Sequence, residues 1–313
     1  MSVLKLVKSL MPDCNAYIDE SSSVKSSTAS HVGLNVPEVM MTYGGGIHMS
    51  LKESAVIGPK IVGSLFEARK SYKTLKNNPK EHKTIIDNET LEELKTYAQK
   101  FGIEDLGFAK VEAGMIFKNK KILFNDAIVF LMEMKKEAIN LAPSFETHDE
   151  VFRAYYALGK TVNALAEFLR KKGYRVQAAP ALNGDVCYPV LAEAAGLGAM
   201  GKHGLLINPK YGPSLRIGAL YIDVENLPIN EVNEHLWIRE FCNKCNQCVR
   251  KCLGSAIYKE SITCADGSKK CIDYKKCAEP FSQQDGCSVC IKECTFFKGD
   301  YSKIKSRVNV QNN

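Results

Sequence analysis

Apolar positions along the chain change period several times, and each change marks an element. "LKESAVIGPKIVGSLFEARKSYKTL", from Leu51, repeats at helical spacing. Gly58-Pro59 should interrupt it, because proline has no N–H to give and its ring collides with the preceding turn. "DNETLEELKTYAQKFG" reads as a helix capped near Asn88 and stopped at Gly102. "DLGFAKV" and "DAIVFLMEM" have the length and composition of buried strands. "HDEVFRAYYALGKTVNALAEFLRKKG" is a long amphipathic helix from about Asp149, ended by Gly173. "YRVQAAP" returns as a strand, "YPVLAEAAG" is a short helix, and "GLLI" and "RIGALYID" are strand-like. Such alternation predicts an α/β sandwich through about residue 240. Before it, "DESSSVKSSTAS" is a polar arm and "YGGGIHM" a glycine-rich turn. Beyond it the chain is loop-rich. The boundaries are therefore an arm at 1–50, a sandwich at 51–240, a cysteine-organised unit at 241–300 and a tail at 301–313.

Cysteine placement changes this picture most. Two of the twelve precede residue 242, and ten lie in Cys242–Cys294. A chain with no secretory leader in view points such a cluster to metal or redox chemistry rather than disulfides. "CNKCNQCVRKC" sets Cys242, Cys245, Cys248 and Cys252 at the x2-x2-x3 spacing of ferredoxin-type iron–sulfur ligands. Three thiolates on that loop can reach one cubane, and the fourth serves the neighbouring cluster. "GCSVCIKEC" supplies Cys287, Cys290 and Cys294 of a second such run, but Gln284 stands where its first cysteine belongs. By pseudo-twofold logic, cluster one is held by Cys242, Cys245, Cys248 and Cys294. Cluster two is held by Cys252, Cys287, Cys290 and one remote thiol, for which Cys264, Cys271 and Cys277 are the candidates. Two zinc sites are the alternative; separated Cys-x2-Cys pairs would suit zinc better than a dense run of four.

Net charge is +7, and from Cys242 onward 13 Lys/Arg stand against 7 Asp/Glu. A solvated basic face accounts for this; so does compensation of anionic clusters or docking of an acidic redox partner. No basic–aromatic interleaving points to nucleic acid. The longest apolar run, "AIVFLM", is far short of the roughly 20 residues that span a bilayer, and "MSVLKLVKSLMPD" lacks an apolar h-region and a twin arginine. A cytoplasmic location is expected. "GLGAMG", Gly196–Gly201, spells G-x-G-x-x-G, but a helix precedes it and a strand follows, the reverse of the dinucleotide-binding order. Its glycines read instead as a sharp helix-to-strand turn whose backbone can approach a flat ligand.

"AEAAGLGAMGKHGLLINPKYGPSLRIG" resembles the corrinoid-domain signature of reductive dehalogenases, and "IDYKKCAEPFSQQDGCSVCIKEC" is similar to their second cluster motif. "YYALGKTVNALAEFLRKKGY" resembles the helix before it, so the likeness runs over about residues 90–298. The wider superfamily includes epoxyqueuosine reductase. The resemblance implies a nitroreductase-like α/β sandwich binding base-off cobalamin at 51–240, followed by a ferredoxin-like domain with two 4Fe-4S clusters at 241–300. In such proteins electrons pass through the clusters to cobalt, giving Co(I), and a tyrosine supplies a proton. The lone cysteine of "IDYKKC" picks Cys277 as the eighth ligand, leaving Cys264 and Cys271 spare. Carried over by position, Tyr156 is the proton donor, with Tyr155 next. Lys202 is the cation beside it, a charge that eases proton donation and holds a polar substrate. Asn183 is the active-site asparagine. Gly201, His203, Gly204, Leu205, Tyr211, Gly212 and Arg216 would line the corrinoid. Expected partners are a small-molecule substrate and a ferredoxin- or flavodoxin-type electron donor, with a homodimer as the candidate assembly; neither membrane nor nucleic acid is expected.

Two other functions compete with a cobalamin- and 4Fe-4S-dependent reductase. One is an epoxyqueuosine reductase-like tRNA-modifying enzyme; the acidic proton donor of that group falls on Leu182 here, and Asp185 stands three residues late. The other is a non-enzymatic iron–sulfur protein that transfers electrons or activates a corrinoid partner.

Overall fold

The computed structural model describes residues 12–19, 23–25, 36–46, 48–118, 120–182, 184–230, 232–265 and 267–311. The predicted serine-rich arm lies mostly outside them, and so does Asn183.

Helix α1 (Val36–Tyr43) leads into α2 (Leu51–Lys73). Ser50 and Glu53 form a reciprocal capping box at the start of α2. Contrary to the sequence expectation, α2 runs through Pro59 without a break. The lost N–H is one bond among many in a helix of 23 residues. The helix is held from outside: it buries Ile57, Leu65, Ala68 and Tyr72, and Lys60 pairs with Asp149. Helix α3 (Asn88–Gln99) is capped by Asp87, whose carboxylate accepts from the Thr90 N–H at 2.6 Å, one residue before the expected cap. Gly102 then takes φ +77°, a left-handed conformation that suits a helix stop.

Four strands form the central sheet: β1 (Leu106–Lys110), β2 (Asp126–Glu133), β3 (Val176–Ala179) and β6 (Leu215–Ile222). Their spatial order is β1-β2-β6-β3 and every pair is antiparallel. Register runs Leu106↔Phe130, Val129↔Ala219 and Ala219↔Ala179. The alternation of strands and helices thus gives the sandwich, but around an antiparallel sheet whose strand order is not sequential.

Helices cover both faces, so the strands are apolar on both sides. On one face Ile128, Phe130, Leu220 and Ile222 pack with Leu94 of α3 and with Leu158, Val162 and Leu165 of α4 (Phe145–Lys171). On the other, Val129, Leu131, Ala219 and Tyr221 meet Leu191 and Ala192 of α5 (Tyr188–Ala194). Helix α4 starts four residues earlier than the amphipathic pattern suggested, because Ser144 caps it by accepting from the Thr147 N–H at 3.2 Å. After α5 the chain turns through Gly196 and Gly198 into a small hairpin, β4 (Ala199–Met200) and β5 (Leu206–Ile207). A Cβ on Gly198 would sit 2.2 Å from the Ile207 carbonyl oxygen, so this glycine lets the two strands approach.

The cysteine-rich part begins within α6 (Trp237–Cys245), which straddles the boundary placed at 240. It continues through α7 (Gln247–Lys251), the antiparallel hairpin β7 (Ile257–Thr263) and β8 (Lys269–Ile272), α8 (Tyr274–Gln283) and α9 (Val289–Lys292). Helix α10 (Tyr301–Gln311) places Tyr301 against Trp237 and Phe296, with ring centroids 5.3 and 6.2 Å apart. The end of the arm is also docked: a Cβ on Gly44 would strike the Ala278 carbonyl oxygen of α8 at 2.7 Å. No helix among the described residues is long and apolar enough to cross a membrane.

Candidate functional site

The two cysteine runs fold as a repeat. Asn246, after Cys245, has φ 51°, and Ser288, after Cys287, has φ 59°; both are left-handed and both open a short helix, α7 or α9. In the second loop Cys287 is left-handed as well, with φ 52°. The sequence spacing thus becomes two similar concave loops.

Eight thiols gather in two sets of four. Cys242 lies within electrostatic reach of Cys245 and Cys248, and Cys294 of Cys242 and Cys248. All four line one cavity, together with Lys202 and His203. The backbone N–H of Lys202 bonds the Cys242 sulfur, and those of Phe296 and Phe297 bond Cys294. Cys277 lies by Cys287 and Cys252, and Cys290 lies by all three. Ala256 N–H donates to Cys252 Sγ at 3.2 Å. Cys290 also reaches Cys248, so the sets adjoin. Cys277 therefore stands where Gln284 left a gap. The spare thiols lie elsewhere: Cys264 carries the turn of the β7–β8 hairpin, and Cys271 packs on Gly204 and lies near Cys187.

Spacing and burial bear on what these sets can hold. Among the described residues, only Glu53, His148 and Asp285 bring three metal-ligating atoms within 4.8 Å of one another; no three thiols do. A tetrahedral zinc, with Zn–S of about 2.3 Å, holds its sulfurs roughly 3.8 Å apart. The thiol sets are too open for one zinc ion and suit a larger group. Burial pushes Cys242 and Cys277 up to about 11 and Cys294 up to about 12, and raises Cys290 further. Thiolates here need a cation to offset their desolvation.

The residues expected around the corrinoid separate into two groups. On α4, His148, Phe152 and Tyr155 form one row at i, i+4 and i+7, with ring centroids 5.3 and 6.0 Å apart. Arg216, on β6, lays its guanidinium 4.7 Å over the Tyr155 ring, and its Nε is buried without a hydrogen-bond partner. Tyr156 points to the seam with α2, where a Cβ on Gly63 would strike its ring at 2.6 Å. Gly159 and Asn163 share that face, meeting Glu67 of α2. The structure therefore separates Tyr156, the first choice from sequence, from Arg216 and makes Tyr155 the companion of that cation. The i, i+4, i+7 aromatic row was the available sequence signal.

Lys202 also has different company from that expected. Its Nζ donates to Asn246 Oδ1 at 2.8 Å and to the Asn243 carbonyl at 3.5 Å, so it braces the first cysteine loop. His203 is 5% exposed; its Nδ1 accepts from the Leu205 N–H at 3.1 Å and its Nε2 is buried and unpartnered. Burial lowers its pKa to about 4. The glycines have packing reasons: Gly201 meets His203 and Ile207, Gly204 meets Cys271, and Gly212 (φ +56°) meets the Phe296 carbonyl. Tyr211 is buried beneath Lys210, and its N–H donates to Asn208 Oδ1 at 3.1 Å. Within the expected corrinoid set, Arg216 and His203 hold the buried side-chain donors without partners.

Asp185 is 3% exposed. It accepts from the Tyr72 hydroxyl and, at 3.3 Å, from Gln177 Nε2, with Lys120 Nζ at 3.8 Å. Burial raises its pKa to about 6, against the pull of Lys120 and Tyr72.

Comparison with known proteins places this geometry. No family model matches the chain. It is 32% identical over 216 residues to a tetrachloroethene reductive dehalogenase of Desulfitobacterium hafniense, covering 63% of this chain and 37% of that protein. It is 38% identical over 165 residues to one of Dehalobacter restrictus, covering 51% and 28%. The Vibrio cholerae epoxyqueuosine reductase is 30% identical over 147 residues, covering 42% and 36%. The chain thus spans about a third of the length of these curated relatives and is more similar to the dehalogenases. Its fold is similar to that of solved reductive dehalogenases: the catabolic reductive dehalogenase NpRdhA superposes with a TM-score of 0.66 at 18% identity, over 92% of this chain and 44% of that one.

Proposed function

We propose that this chain is a reductase of the reductive dehalogenase type, in which two 4Fe-4S clusters carry electrons toward a bound corrinoid and a small substrate. The observation that carries the reading is the gathering of eight thiols into two adjoining sets of four, each too open for a single zinc ion. Cys242, Cys245, Cys248 and Cys294 would hold one cluster; Cys252, Cys277, Cys287 and Cys290 would hold the other. Their adjacency suits electron transfer between them. The basic residues from Cys242 onward suit an acidic donor of the ferredoxin or flavodoxin kind.

The buried, unpartnered donor on Arg216 fits a polar ligand between Tyr155 and the 199–216 segment. A corrinoid, when bound, would supply a cobalt centre able to reduce the substrate. In that setting Tyr155 donates the proton from its hydroxyl. Arg216 fixes the tyrosine ring through the cation–π contact and offers Nε–H to a polar substrate group. Lys202 holds the first cysteine loop in shape through Asn246. Asp185 is committed to Tyr72 and Gln177 inside the sandwich, which argues against the acid role of the tRNA-modifying reading.

Anaerobic purification and reconstitution test the proposal. About eight iron and eight sulfide per chain, with corrin absorption after cobalamin is added, are expected. Full iron with no corrin binding would reduce the protein to an electron carrier. Zinc in place of iron would remove the cluster reading altogether.

A further inference from the structure

His203 stands out among the side chains that line the first cysteine cavity. It is 5% exposed, lines that cavity with Cys242, and follows Lys202, whose backbone N–H bonds the Cys242 sulfur. Its tautomer is fixed by geometry. Nδ1 accepts a hydrogen bond from the Leu205 N–H at 3.1 Å, so the proton of the neutral ring is on Nε2. That Nε2–H is buried and meets no acceptor in the protein. Leaving a buried donor without a partner is costly, so one retained in a cofactor cavity points to an acceptor supplied by the cofactor. Gly201 leaves room for the ring: a Cβ there would lie 2.7 Å from His203 Cε1.

We infer that His203 donates a hydrogen bond from Nε2 to a sulfur of the cluster held by Cys242, Cys245, Cys248 and Cys294, and so raises that cluster's reduction potential relative to its neighbour. The inference rests on the two-cluster reading. Sulfur on a reduced cluster carries more negative charge and accepts the stronger bond, so the donor favours the reduced state. The low pKa imposed by burial keeps the ring neutral at physiological pH, so the effect is that of a fixed dipole and not of a titrating charge. His203 is in this sense a positioning residue that makes the first cluster the better electron acceptor of the two.

The test is an anaerobic, EPR-monitored redox titration of the reconstituted holoprotein, with the first cluster's signal identified as the one that Cys294→Ser removes. His203→Ala should shift that cluster's oxidised-to-reduced ratio about tenfold toward oxidised at fixed ambient potential, which is about 59 mV for a one-electron couple. The second cluster should not move. His203→Gln, which keeps an N–H donor, should recover part of the shift. In the wild type, ¹⁵N-labelling of histidine should convert a ¹⁴N coupling on the reduced first cluster into a ¹⁵N coupling, a readout that does not depend on a variant folding. Absence of that coupling, or an unchanged potential in His203→Ala with iron content intact, overturns the inference while leaving the clusters standing. A shift confined to the cobalt couple would overturn it too, placing the donor on the corrinoid. Absence of iron from the wild type would sink the cluster reading first and this inference with it.

Discussion

Replacing Cys277 by serine is the sharpest perturbation of the second thiol set. Cys277 is carried by α8, away from the second cysteine run, and reaches Cys287 and Cys252 across the loop. Burial raises it from 9.0 to about 11, which at 1.36 kcal/mol per pH unit makes its deprotonation about 2.7 kcal/mol harder than that of an ordinary thiol. Iron binding has to offset that cost, and a thiol can be driven there. A serine hydroxyl, far less acidic, cannot become the needed anion in the same buried position. One set of four then falls to three ligands. Iron in the reconstituted protein should drop from about eight to about four per chain, with sulfide in proportion, while the first cluster's EPR signal persists. Cys271→Ser, in the β7–β8 hairpin against Gly204, should keep all the iron. Colorimetric iron and sulfide, read beside EPR, decide the matter. Half the iron lost from Cys271→Ser and none from Cys277→Ser would refute the ligand assignment.

The other predictions concern the sandwich. Tyr155→Phe should lower turnover of an organohalide panel by about 10²-fold or more, whereas Tyr156→Phe, at the α2 seam, should stay within a few-fold; the opposite order would return the proton donor to Tyr156. Asp185 has its folded pKa raised to about 6, so its contribution is fully present below about 4 and is lost as pH rises toward 6, by about 3 kcal/mol at most. Thermal stability of the holoprotein should therefore fall between about pH 4 and 6 and level off above, and Asp185→Asn should flatten that slope. Gly198→Ala places a methyl 2.2 Å from the Ile207 carbonyl at a backbone φ of +149°, and should cost more than about 1 kcal/mol of thermal stability with iron stoichiometry unchanged in the protein that folds.

The amino-acid sequence by itself determined most of the elements and the spacing of the two cysteine runs. Apolar periodicity is local, and α3, α4 and the strands follow it to within a few residues; their ends moved because Asp87 and Ser144, polar residues outside the periodic run, supply the caps. Cysteine spacing is local as well, so the two loops with Asn246 and Ser288 in the left-handed region were legible as a repeat. What spacing cannot give is the partner across the fold. Tertiary structure set Cys277 beside Cys252 and Cys287, and sent Cys271 toward Cys187. It carried α2 through Pro59, because packing along α4 outweighs one missing hydrogen bond. It also gave Tyr155 and Tyr156 different neighbours. Adjacent residues on a helix point about 100° apart, and the position of β6, which brings Arg216 to Tyr155, and of α2, which packs on Tyr156, sets what each one meets.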